Sequence, residues 1–187
     1  MCNITQGITP TGCKQSLPGV KPTRIWAWNY SDMLALVDGT DDSNWSNITL
    51  KDGTRAYKFD AHKDTVNFSE ELQSADNSGD YYNQTAQFRV IDDSLETVLA
   101  SRGLLGSELC FVMQKRNGRF YVLGDLEGLK LGEGTMHETG SAAGDDSGRM
   151  FSFDGIVENQ AKQLITGGEY DEANIIALLD GLLVPQS

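Results

Sequence analysis

Short apolar runs bounded by Gly, Asn and Asp recur along this chain, and two segments alternate apolar and polar positions with the two-residue period of a strand. Over 65–72, Val66 and Phe68 alternate with Thr65, Asn67 and Ser69; over 81–91, Ala86, Phe88 and Val90 alternate with Asn83, Thr85, Gln87 and Arg89. Successive side chains of a strand point to opposite faces, so both segments predict strands with one apolar and one neutral-polar face. The polar connector 73–80 (QSADNSGD) predicts a long hairpin with a flexible tip. The runs 108–115 and 119–124 are apolar on both faces, which predicts central strands, and Asn117-Gly118 between them predicts a type I′ hairpin.

Further strands are expected at 24–30, 54–60 and 149–158, with a hairpin turn at Asp52-Gly53, a polar acidic loop over 36–47 and a long loop over 132–148, where five glycines fall. One helix is predicted: Asp93 and Glu96 form a capping box, Leu95, Val98 and Leu99 make a stripe that covers one side of the sheet, and Gly103 ends the run. Over 170–184, Ile175, Ile176, Leu178, Leu179, Leu182 and Leu183 form an almost unbroken apolar block that needs a covering surface. The expected fold is mainly β, a sandwich or half-barrel with one flanking helix. Its body spans 24–158, between an irregular N-terminal arm, 1–23, and a C-terminal extension, 159–187.

Charge changes the picture. The 187 residues carry a net charge of −12, which argues against a nucleic-acid binder, because affinity for phosphates comes from neutralising them with Lys and Arg. The charge is uneven: residues 1–30 hold Lys14, Lys21 and Arg24 and no acid, so the other 157 carry −15. The first residues lack the apolar run of a secretory signal, and no window reaches the length of a membrane span. Cys2, Cys13 and Cys110 match no zinc spacing and are read as reduced thiols of a protein folded in a cytoplasm. The Asn-x-Ser/Thr triplets are then local composition.

Catalytic signals are thin. His62 and His137, the two histidines, stand in polar stretches without a partner motif and are read as exposed loop residues. The acidic loops 38–44 and 145–148 depart from the calcium-loop template and are read as solvated turns. Nothing calls for an enzyme, a metal or a cofactor. Trp26, Trp28 and Tyr30 alternate along one strand and are read as core or interface packing, with sugar stacking as the lesser reading.

Four stretches, taken together, resemble the tail tube (major tail) proteins of long-tailed bacteriophages, particularly those of Bacteroidetes hosts. They are the CNIT start with Cys13-Lys14 and Gly19-Val20-Lys21; Asn67-Phe68-Ser69-Glu70-Glu71 with Tyr81-Tyr82-Asn83-Gln84-Thr85; Phe120-Tyr121-Val122-Leu123-Gly124 with Glu127-Gly128-Leu129-Lys130-Leu131; and Gly134-Thr135 through Gly140, Gly144-Asp145 and Gly148 into Met150-Phe151-Ser152-Phe153. The stretches span most of 2–158. Tail tube proteins commonly finish soon after this last strand, whereas here some thirty residues continue.

The resemblance implies a virion protein of the tail, assembled in the host cytoplasm, whose copies form six-membered rings that stack into a tube. Its partners would be its own copies and other tail proteins. Viral DNA would pass through without specific binding, and no membrane would be involved. On this expectation Asn67, Ser69, Asn83, Thr85 and Gln87 face the lumen, and Lys14, Lys21, Arg24, Ser74, Asp76, Asn77 and Gly79 make contacts between rings. A tail adaptor, a terminator or an injection-machine tube subunit would share the fold. A carbohydrate-binding sandwich is the remaining alternative, resting on Trp26 and Trp28.

Overall fold

The computed structural model describes residues 19–39, 43–75, 79–92, 94–138 and 148–185. The protein is mainly β. After β1 (Val20–Asn29) come the hairpin of β2 (Met33–Asp38) and β3 (Asn44–Leu50), the short β4 (Tyr57–Phe59), and the long hairpin of β5 (Asn67–Ala75) and β6 (Gly79–Val90). Helix α1 (Leu95–Gly103) leads to the hairpin of β7 (Glu108–Lys115) and β8 (Phe120–Leu123). The chain then runs through β9 (Leu129–Leu131), β10 (Met136–Glu138), β11 (Gly148–Val157) and β12 (Gln163–Leu164) to α2 (Glu172–Gly181).

The strands form two layers. In the first, β6 lies between β5 and β11, and both β9 and β10 pair with the other side of β11. In the second, β1 lies between β4 and β7, and β7 continues through β8 and β12 to β3 and β2. Strand β9 joins the layers, because it also pairs with the first residues of β7.

Alternation in β1 and β7 feeds two cores. Ile25, Ala27, Phe111 and Met113 point toward the first layer, where they meet Ala86, Phe88 and Phe153. Trp26, Trp28, Cys110 and Val112 point the other way and pack with Phe120, Val122 and the α2 residues Ile175, Leu179 and Leu182. The prediction that 108–115 is central therefore holds for a definite reason: each face of β7 lines a different core. In the first core the Phe153 ring lies 4.9 Å from Phe111 and 6.0 Å from Phe88.

The tail is covered by its own chain. Asp171 caps α2 by accepting from Ala173 N at 2.9 Å, and the helix buries Ile175 and Leu179 against β1 and its neighbours. The extension thus adds a second helix to the expected one.

Several local expectations are corrected. The hairpin connector is shorter than 73–80, since pairing continues through Ser74↔Asp80 to Ala75↔Gly79. Gly79, at φ 83°, takes the left-handed conformation that a short connection needs. Residues 36–38 and 44–47 belong to β2 and β3, not to a loop. Asp52-Gly53 makes a turn, but β3 and β4 do not pair. The chain crosses instead beside the end of α2, where Ala56 N donates to Leu182 O at 2.7 Å. Asn117 does not have the positive φ of a type I′ turn; Gly118 does, at 95°.

Strand β10 interrupts the expected 132–148 loop and carries His137, which is therefore on a strand; residues 139–147 lie outside the described residues. Asp93 also lies outside them, and the N-cap of α1 is Ser94, whose Oγ accepts from Thr97 N. Leu95 and Leu99 stay 73% and 54% exposed, so the predicted stripe does not cover the sheet. Helix α1 is held instead by its caps and by Leu104, which packs at the edge of the first core.

Candidate functional site

The five candidate residues Asn67, Ser69, Asn83, Thr85 and Gln87 fall on one face of the first layer. The register pairs Asn67 with Gln87 and Gln87 with Ser152; Ser69 with Thr85 and Thr85 with Asp154; and Glu71 with Asn83 and Asn83 with Ile156. Side chains directly opposite across a ladder share a face, so these rows make one face three strands wide, polar on β5 and β6 and, on β11, formed by Asp154 between the buried Ser152 and the exposed, apolar Ile156. Gln87 Nε2 donates to Ser152 Oγ at 3.1 Å. Across β11, Asp154 pairs with Lys130, whose Nζ lies 3.0 Å from Glu108 Oε1. The other face of the same strands carries Phe68, Ala86, Phe88, Phe151 and Phe153 into the first core.

The sequence reading left Ser152, Asp154 and Lys130 out of this face. A signal for two of them was there: Ser152 and Asp154 alternate with Phe151 and Phe153 at the strand period. Among the described residues, β5 pairs only with β6 and the three-residue β10 only with β11, while β9 carries the same side of β11 on to β7.

The predicted contact residues between rings are more scattered. Ser74 and Gly79 lie at the hairpin end, where Ser74 Oγ donates to Asp80 Oδ1 at 2.6 Å. Lys21 forms an ion pair with Glu172 of its own chain at 3.1 Å, and Arg24 sits 6.0 Å from the Trp26 ring. Lys14, Asp76 and Asn77 lie outside the described residues.

Where Glu70 and Gln84 turn inward, a polar cluster braces the hairpin. Gln84, fully buried, donates through Nε2 to Glu70 Oε1 at 2.9 Å and accepts through Oε1 from Gly124 N at 2.9 Å. Glu70 also accepts from Ala161 N at 2.5 Å. Hairpin, β8 corner and C-terminal segment are thereby tied together. Gly124, at φ 71°, is needed for this approach: a Cβ there would lie 2.9 Å from Leu109 O.

The neighbouring Asp125 carboxyl is pushed above the ordinary carboxylate range, first by burial and also by the charge of Glu70, against the pull of Lys162. A raised acid binds more protons folded than unfolded, so its contribution to stability falls as pH rises above the usual carboxylate value. Asp125→Asn is therefore expected to melt at or above the parent temperature at pH 7, with the difference shrinking toward pH 4. A melting series over that range checks it, and a variant destabilised more at pH 7 than at pH 4 would contradict it.

Other candidates lack the required surroundings. A cleft of about 910 Å³ opens between α1, β4 and the end of β6, with His62, Tyr57 and Asp92 in its lining. Its Asp92 carboxylate is engaged in capping, accepting from Ser94 N at 3.0 Å and from Ser94 Oγ at 2.8 Å. Among the described residues, no three His, Cys, Asp or Glu side chains gather where they could hold a metal ion. Cys110 is buried and donates to Gly124 O; burial pushes its thiol far up, away from the reactive thiolate. Trp26 and Trp28 are 0% exposed, so that row offers no stacking surface to a sugar. Among the described residues, no helix is long and apolar enough to cross a membrane.

Comparisons with protein-family models, with curated proteins and with solved structures find no match to this chain.

Proposed function

We propose that the chain is a structural subunit of a phage tail tube, whose copies join side by side into rings around a polar conduit. The observation that carries this reading is the β5-β6-β11-β10 sheet, polar along most of one face, packed on a core by the other, and with β5 and β10 each left one partner among the described residues. Exposed strand edges are a liability in a monomer, and joining β5 of one copy to β10 of the next removes them while leaving the polar face on water. The acidic balance supports the same reading, because a wall with surplus negative charge repels passing phosphates. The residues on the face, Asn, Ser, Thr and Gln beside an Asp-Lys-Glu row, offer a genome no strip of Lys and Arg to hold it.

Electron microscopy of the concentrated protein tests assembly: rings or tubes are expected, and a uniform monomer would overturn the reading. Orientation is tested by Thr85→Cys in a Cys2→Ser, Cys13→Ser background. In tubes, a small maleimide is expected to label that thiol while a maleimide carried on a large protein does not; in dissociated subunits both label. Equal labelling by the large reagent in both states would place this face outside.

A further inference from the structure

We propose that the cleft between β4 and α1 takes up an extended, uncharged segment of a partner protein, which adds to the free edge of β4 as one more strand. The cleft, of about 910 Å³, holds no catalytic set, but its walls suit a main chain. One wall takes in every residue from 57 to 62. Side chains of consecutive strand residues alternate between two faces, so an unbroken run means that the main chain itself borders the space.

That main chain has an edge to offer. Strand β4 pairs with β1 alone, and among the described residues the main chain of 57–60 makes no main-chain hydrogen bond outside that ladder. Both ends of the edge are fixed: Ala56 N donates to Leu182 O at 2.7 Å, Ala61 N to Pro22 O at 3.0 Å and His62 N to Arg89 O at 2.6 Å. A strand already held in its bound shape has little freedom left to lose on binding.

Helix α1 makes the opposite wall. Thr97, Ala100, Ser101 and Leu104 line the cleft at the spacing of one helical face, and the first three are small. No residue of α1 is buried, so the helix stands off the sheet and leaves room. The floor between the walls is apolar, with Phe59, Ala61 and Val90 only partly buried at the edge of the first core. Residues 57–62 span about 17 Å at the strand rise, and the nine residues of α1 span about 14 Å. The two walls match in length, and a single strand of about five or six residues fits between them. An apolar side chain at every second position of that strand would cover the floor.

The interior selects against charge. Lys58 turns its Nζ away, to 4.0 Å from Asp180 Oδ1 and 5.4 Å from the Trp26 ring, and the Asp92 carboxylate is engaged in the α1 cap. Asp60 and His62 stay exposed at one end. An ionised side chain placed inside would lose its water without gaining a partner.

A second copy of this chain does not suit the cleft. Among the described residues, its strands with one partner, β2, β5 and β10, each carry a sheet behind them, which α1 would obstruct. A lipid would cover the floor but leave the N–H and C=O groups of the edge unpaired, whereas a peptide main chain pairs both.

The test uses the full-length chain and an array of acetylated, dye-labelled hexapeptides with Val, Ile, Leu or Phe at alternate positions and Ser or Thr between them. Saturable binding of array members is expected below about 1 mM. The best binder is then remade in two forms, N-methylated at its odd or at its even residues. Only every second residue of an added strand turns its N–H to the edge, so one form is expected to lose about tenfold or more in affinity while the other binds like the parent peptide. Ala100→Trp, which fills the cleft from the helix side, should weaken binding about tenfold or more at an unchanged melting temperature. Leu99→Trp, on the far side of α1, should leave binding as it was.

Equal loss in the two N-methylated forms, or binding indifferent to Ala100→Trp, overturns the inference, and so does an array without a binder. None of these readouts depends on rings, so such a failure leaves the tube reading standing. A uniform monomer that binds the peptide in the expected pattern overturns the tube and keeps the groove.

Discussion

Phe153→Ala is expected to lower the stability of the subunit by about 3–5 kcal/mol, the usual cost of emptying a large aromatic site in a packed core. Domains of this kind are stable by only about 5–15 kcal/mol, so a large part of the margin would go. The ring is fully buried and touches both layers, through Phe88 on β6 and Phe111 on β7. It also stands between Ser152 and Asp154 of the polar face. Loss of the ring would therefore loosen β11 on β6 and blur the row that joins Thr85 to Asp154. Denaturant titration measures the first effect, and loss of assembly at temperatures where the parent assembles measures the second. A cost under 1 kcal/mol would mean that the two layers do not depend on this contact.

Leu179→Ala is expected to cost about 2–5 kcal/mol and to loosen α2 from the second core. Leu179 is fully buried with Ile175 against Trp26 and Val112, and Trp26 Nε1 donates to Asp180 Oδ1 at 3.1 Å, one residue along the helix. Opening this contact brings water to Trp26, so the tryptophan emission should shift to the red together with the loss of stability. Val184→Ala is the comparison: Val184 is 64% exposed, and a change within about 0.5 kcal/mol is expected. If both substitutions behaved alike, the tail would be an appendage and not a wall of the core.

The two predictions show where the sequence was legible. The hairpin of β5 and β6 was readable because its two-residue period survives over many positions, and the same period correctly put Asn67, Ser69, Asn83, Thr85 and Gln87 on one face. Strand β2 was not readable: as an end strand it leaves Leu34 and Val37 63% and 44% exposed, so no buried face imposes a clean alternation. Its neighbour β3 was hidden by Asn44, Ser46 and Asn47, residues equally at home in turns. In the tail, Ile175, Leu179 and Leu182 do have helical spacing, but Ile176, Leu178 and Leu183 around them hide which side faces inward. Helix α1 shows the reverse, an apolar stripe without a surface to cover.

The β1–β7 pair lines both cores, and that has a consequence for how the subunit fails. A partition shared by two rooms cannot be removed from one of them. Melting of the hairpin side strips Ile25 and Phe111 of cover and leaves Trp26 and Val112 on strands without support, while release of α2 does the same from the opposite side. The two halves are bound to come apart in one cooperative event, so damage at the tail registers at the polar face, which it does not touch.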